Sequence, residues 1–237
     1  MNSDYYSLRY PNLPIRGILL IVMALNNLMR RREMGYAQSA LLLAIALDLT
    51  LDKSLVVGPK YVIAVLELLL VFGIGITTPL RHNLGARLRR DFSLLLIALI
   101  SIANGLSMIQ VANDLIKGSV IDGRQLIFAA FVIFLTNIII FSLWFWELDS
   151  PGLTGIKKHD AAPKFLFPQM QFKSPETKGW EPTYFDYLYL STTNSTAFSP
   201  TDTLPLTHGA KVLMGSQAFI SLLTVVLVTA RAVNVLG

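Results

Sequence analysis

The side chains that could do chemistry in this sequence crowd into one short stretch. Ser191, Thr192, Thr193, Asn194, Ser195 and Thr196 follow one another, and Ser199, Thr201 and Asp202 come just after, interrupted by Pro200. Hydroxyls, carbonyls and a carboxylate at this density suit hard cations held weakly, and the soft thiolate donors that select transition metals are missing. Elsewhere the chemistry is sparse. The chain has no Cys, which removes thiol catalysis and Cys-ligated metals, and its His82, His159 and His208 stand apart and read as loop residues. There is no HExxH and no nucleophile with a matched base, so we expect no catalytic residue, no metal centre, no cofactor and no enzyme. Glu67 and Arg231 are charges that fall inside long apolar runs. A charge within a bilayer is costly unless paired, protonated or wet, and we expect these two to pair near where a gate would lie. The alternative is a neutral Glu67 with Arg231 reaching the headgroups.

Greasy helices must position these residues. Of 237 residues 53% are hydrophobic and 15% charged, against roughly 25% charged in a soluble domain. With a mean hydropathy of +0.55, the surplus apolar surface has lipid as its simplest solvent, which excludes a soluble enzyme. Residues 61–80, 92–111 and 126–146 are each long enough to cross a hydrocarbon core, as is 212–230, which runs on to 236 past Arg231. Residues 37–51 are shorter and hold Asp48, and they too read as a crossing. Residues 17–25 are read as crossing, the alternative being that they lie flat in the interface. Residues 1–11 lack the features of a cleaved signal and are expected to be retained. The net charge is +5 with pI near 9.5, but the basic residues sit between apolar runs, where they set topology; no nucleic acid partner is expected. Asp48, Asn104 and Asn137 are expected to bond between helices, and Trp144, Trp146 and Trp180 to form an interfacial belt.

Between residues 148 and 180 the chain turns polar, with Phe165, Leu166, Phe167 and Pro168 as an apolar anchor. Residues 184–194 then suit about three helical turns, and Pro200 forbids the next stretch from continuing them. A span, a loop, a short helix, a non-helical hydroxyl-rich segment and a final span are the plan of a pore loop. The run from Tyr187 through Ser191, Thr192, Thr193, Asn194, Thr196 and Asp202 to Pro205 and Thr207 resembles, without a gap, the pore helix, filter and following turn of the potassium-channel superfamily. The likeness covers residues 126–236, and a similar Ala-Phe-Ser-Pro-Thr-Asp segment occurs in uncharacterised bacterial membrane proteins. It implies an all-α, polytopic transmembrane bundle of 5–6 spans with a re-entrant pore helix and loop before the last span. Residues 1–121 would supply N-terminal helices and 122–237 the pore module, with an inserted loop at 148–183. It further implies a homotetramer conducting monovalent cations in contact with membrane lipid, in the cell membrane, most simply a bacterial inner membrane.

The filter departs from that family. Where the family has Thr-Val-Gly-Tyr-Gly, this chain has Ala197-Phe198-Ser199-Pro200-Thr201. Without glycines, and with Pro200 pressing Ser199 toward extended backbone, the carbonyl ladder should not form. The lining would then be Thr196, Ser199 and Thr201, with Asp202 as an acidic ring, and selectivity for potassium over sodium should be weak. Asp202 has a second reading, as a cap on the last helix, and Thr192, Thr193 and Asn194 have one as groups that satisfy helix-end carbonyls or bond across subunits. A second function is a non-conducting, channel-derived scaffold, sensor or accessory subunit. Residues 92–111 hold no charge, so they are no voltage sensor. The family likeness puts the loop outside. Short-loop basic residues number seven on the loop side against six if 17–25 cross, and nine against four if they lie flat, a count that favours the inverse.

Overall fold

Residues 126–146 carry no charge, so a helix built from them has no face to offer water and must be wrapped by apolar partners on every side. The computed structural model describes residues 15–51, 65, 68–69, 71–72, 83–117, 123–149, 162–172, 180–198 and 202–236. These form, in order, α1 (Ile15–Thr50), α2 (Asn83–Lys117), α3 (Gly123–Asp149), β1 (Phe165–Leu166), α4 (Pro168–Gln171), α5 (Tyr184–Ala197), β2 (Leu204–Pro205) and α6 (His208–Leu236). The uncharged run lies in α3, which packs against α1, α2, α5 and α6 and is the axis of the bundle. Among the described residues three helices are long and apolar enough to cross a membrane: Asp91–Asp114, Arg124–Asp149 and His208–Ala230. The second is 72% buried by its neighbours and the third only 22%.

Polar side chains fix how these helices run. Asn104 Nδ2 donates to the Ile133 carbonyl at 3.4 Å and Trp144 Nε1 to Ser101 Oγ at 3.0 Å, which sets α2 antiparallel to α3. Asn137 Nδ2 donates to Ser221 Oγ at 3.0 Å, and with Met214 in the cluster of Phe145, and Leu227 against the cluster of Leu126, this sets α6 antiparallel to α3 as well. Asn104 and Asn137 thus bond between helices as expected. At one end of the bundle Leu51 packs with Met108, Val111 and Leu126. At the other, Ala37, Leu41, Phe145, Phe165, Tyr184 and Tyr187 share a core.

Two readings of the sequence change. Residues 17–25 and 37–51 belong to one helix of 36 residues that passes through Asn26, Asn27 and Arg30–Arg32 without a turn. A helix cannot reverse direction without breaking its backbone ladder, so these segments are not two antiparallel crossings. Of the three tryptophans expected in an interfacial belt, Trp146 is instead buried, edge-on against Tyr184 at 5.4 Å, while Trp144 and Trp180 are half-buried, Trp180 packing on Phe167 at 5.7 Å. Glu67, and the side chain of Arg231, lie outside the described residues, as do Ser199, Pro200 and Thr201.

Candidate functional site

The site is built on α5, whose buried face repeats at helical spacing: Tyr184, Tyr187, Leu190, Ser191, Asn194 and Ser195. Its start is held from three directions. Asp186 Oδ2 accepts from Thr183 N at 2.7 Å and from Thr183 Oγ1 at 2.8 Å, closing the first turn. From α1, Glu33 Oε2 accepts the otherwise unpaired Tyr184 N–H at 2.7 Å, a carboxylate at the positive end of a helix dipole. The next turn of α1 follows suit, Tyr36 meeting Phe185 edge-on at 4.8 Å. Tyr36 also takes a 3.3 Å hydrogen bond from Arg32 Nη2, which raises the guanidinium pKa above its usual value.

Asp149, the last residue of α3, ties the segments on either side of α5 to this end. Its carboxylate accepts from Tyr187 Oη at 2.8 Å and from Lys164 N. Directly after Lys164, β1 pairs antiparallel with β2, Phe165 opposite Pro205 and Leu166 opposite Leu204, and Leu206 N donates to Lys164 O at 2.8 Å. The expected apolar anchor is real: Phe165 and Phe167 are buried, with rings 6.4 and 5.4 Å from that of Tyr187.

Deeper along α5 the contacts become polar and buried. Ser191 Oγ donates to the Ile138 carbonyl at 2.6 Å. Gln217 of α6, fully buried, directs Nε2 at Ser191 O (3.0 Å), Ser191 Oγ (2.6 Å) and Ser195 Oγ (2.7 Å). Asn194 Nδ2 donates to Gln217 Oε1 at 2.8 Å and to the Met214 carbonyl at 2.9 Å. Ile138 lies about 16 Å along α3 from Asp149, and Gln217 about 14 Å along α6 from His208, at the rise of an α-helix. The far end of α5 therefore sits about midway along both neighbouring helices. Gln217, Glu33 and Asp149 were not singled out in the sequence. Only Gln217 left a signal there, an amide in the middle of an uncharged run, where a polar group needs a partner.

The predicted pore-helix and filter residues divide. Ser191 and Asn194 belong to the buried network, whereas Thr192 Oγ1 donates to Leu188 O, Thr193 Oγ1 to Tyr189 O and Thr196 Oγ1 to Thr192 O, all within α5. The helix runs on to Ala197, three residues further than expected, and Phe198 closes it in the left-handed region at φ 55°, ψ 20°. A bulky side chain there is strained, by roughly 1–2 kcal/mol. Thr192, Thr196, Ala197, Phe198 and Asp202 are exposed. At the start of α6 itself Thr207 Oγ1 is the cap, accepting from Ala210 N at 3.3 Å. Among the described residues no cluster of His, Asp and Glu assembles into a metal site.

The arrangement defines a multi-pass α-helical membrane protein with a short helix lodged between two of its long helices. No protein-family model, curated protein or solved structure matches the chain.

Proposed function

We propose that the chain is one subunit of a weakly selective cation channel, a homotetramer resembling the potassium-channel pore type but with a glycine-free filter, in the cell membrane of a bacterium. The observation that carries this reading is a pair of bonds at opposite ends of one segment. The β1–β2 pairing brings together the chain before and after α5, while Ser191 bonds a carbonyl midway along α3. A chain that descends to mid-depth and returns to its starting level is a re-entrant loop. α5 has 14 residues, about 21 Å, short of the ~30 Å needed to cross. Its negative dipole end then faces the middle of the bilayer, where it favours a cation. Counted in this way, α1 from Glu33 to Leu51 joins α2, α3 and α6 to give four spans, and the crossing expected from the sequence at 61–80, most of which lies outside the described residues, makes the fifth.

The second reading, a non-conducting scaffold, sensor or accessory subunit, is favoured by the missing filter glycines. Cation flux from liposomes holding the purified protein decides between them. Flux of both potassium and sodium, reduced by Asp202→Asn and Thr201→Ala, is expected. A reversal potential that tracks potassium alone refutes weak selectivity, and no flux of any cation transfers the assignment to the second reading.

A further inference from the structure

Because α1 is a single helix, the count of basic residues that required 17–25 to cross separately no longer applies. The bonds that orient α2, α3 and α6, and the Glu33 contact that levels α1 with the start of α5, assign each remaining basic residue in the described helices and strands to one end. At the end bearing α5 lie Arg16, Arg30, Arg31 and Arg32 on α1, Arg87, Arg89 and Arg90 at the start of α2, Lys164 beside β1, and Lys211 in the first turn of α6. At the other end lie Lys117, Arg124 and Arg231. The contrast is nine against three. Lysine and arginine in short loops and at helix ends are retained on the cytoplasmic side of membranes, while acidic residues contribute little to the choice. Anionic lipid in the cytoplasmic leaflet adds to the same preference.

We propose that the α5-bearing end of the bundle is its cytoplasmic end, seated against anionic headgroups, so that the mouth carrying Asp202 opens to the cytoplasm. This reverses the side implied by the potassium-channel resemblance. It rests on the membrane-spanning reading of α2, α3 and α6 and not on conduction.

The chain's lack of cysteine makes the test direct, since any thiol signal comes from the introduced residue. Gly209, at the α5 end, is exposed and an added Cβ there would meet nothing within 4 Å. Gln125, at the other end, is exposed too. Gly209→Cys and Gln125→Cys, each as the full chain in a bacterial host, are treated with a membrane-impermeant maleimide on intact spheroplasts and again after permeabilisation. Gln125→Cys should label fully on intact cells and Gly209→Cys only after permeabilisation. Replacing Arg30, Arg31, Arg32, Arg87, Arg89 and Arg90 together by Gln should then expose Gly209→Cys on intact cells in part of the population. Labelling of Gly209→Cys but not Gln125→Cys on intact cells overturns the proposal, as does equal labelling of both. Release of the protein from membranes by alkaline carbonate overturns instead the spanning reading beneath it.

Discussion

Replacing Gln217 by Leu keeps its bulk and removes the amide that joins α6 to α5. The side chain supports three hydrogen bonds at a time: two N–H protons shared among Ser191 O, Ser191 Oγ and Ser195 Oγ, and an Oε1 that accepts from Asn194. Interhelical hydrogen bonds in membranes are worth about 0.6 kcal/mol each on average, and buried ones in general about 1. The loss is therefore about 2–3 kcal/mol. The lower end is expected, because Ser191 Oγ keeps Ile138 O and Asn194 keeps Met214 O, which limits the groups left without partners. Reversible unfolding in mixed micelles measures it, with Gln110→Leu as the control: Gln110 makes one 3.3 Å bond to Asp114 within α2, worth about 0.3 kcal/mol. Adding Asn194→Ala to Gln217→Leu should cost less than the two singly, since they share a bond. A Gln217→Leu loss below about 0.5 kcal/mol, no larger than that of the control, would refute the claim that this network fastens α5.

Three further substitutions probe neighbouring parts of the same assembly. Tyr187→Phe removes a 2.8 Å bond to a carboxylate and should cost about 1.5 kcal/mol, while Tyr189→Phe, on the exposed face of α5, should cost almost nothing; equal thermal shifts would contradict the role given to Asp149. Phe198→Gly relieves a left-handed backbone and should stabilise the isolated subunit by about 1 kcal/mol, so a lowered melting temperature counts against strain at that turn. Glu67→Gln should destabilise the wild-type protein far more than it does a protein already carrying Arg231→Gln, and additive effects in that cycle would remove the proposed pair.

The uncharged runs announced α2, α3 and α6 because lipid leaves helices no other composition to use, and Pro200 together with the hydroxyl-rich stretch marked where a short helix would end. What stayed hidden were contacts between residues far apart in the chain. Glu33 is an ordinary surface acid by sequence, and only the approach of α1 to Tyr184, 151 residues later, makes it a helix cap. Asp149 likewise reads as a loop residue until β1 and Tyr187 close around it. The continuity of α1 was obscured by its own composition. Asn26, Asn27 and three consecutive arginines look like a loop between two crossings, yet arginine is a good helix former and asparagine a tolerable one, so nothing in the backbone forces a break there. The capping of α6 itself fell to Thr207 for a reason of position: the side chain must lie directly before the first turn to reach its N–H groups.

The two faces of α5 bear on whether one copy is enough. Its inner face is satisfied within the subunit by Gln217, Ile138 and Met214. The outer face carries Phe185, Tyr189, Thr192 and Thr196 in one stripe, all exposed, and ends at the exposed Ala197 and Phe198. Aromatic rings and hydroxyls that bond back to their own helix can face hydrocarbon, but the last carbonyls of a helix ending at mid-depth cannot, because lipid offers no donor. Non-helical backbone at such depth persists only against protein or along water. Under the proposed re-entrant reading further copies supply that partner, and α6, with 22% of its span buried, has the free surface to meet them. Under the proposed assembly those copies enclose a wet axis onto which the four α5 ends converge, and the same geometry explains how a filter without glycine is tolerated: water, rather than a ladder of carbonyls, completes the shell of the ion.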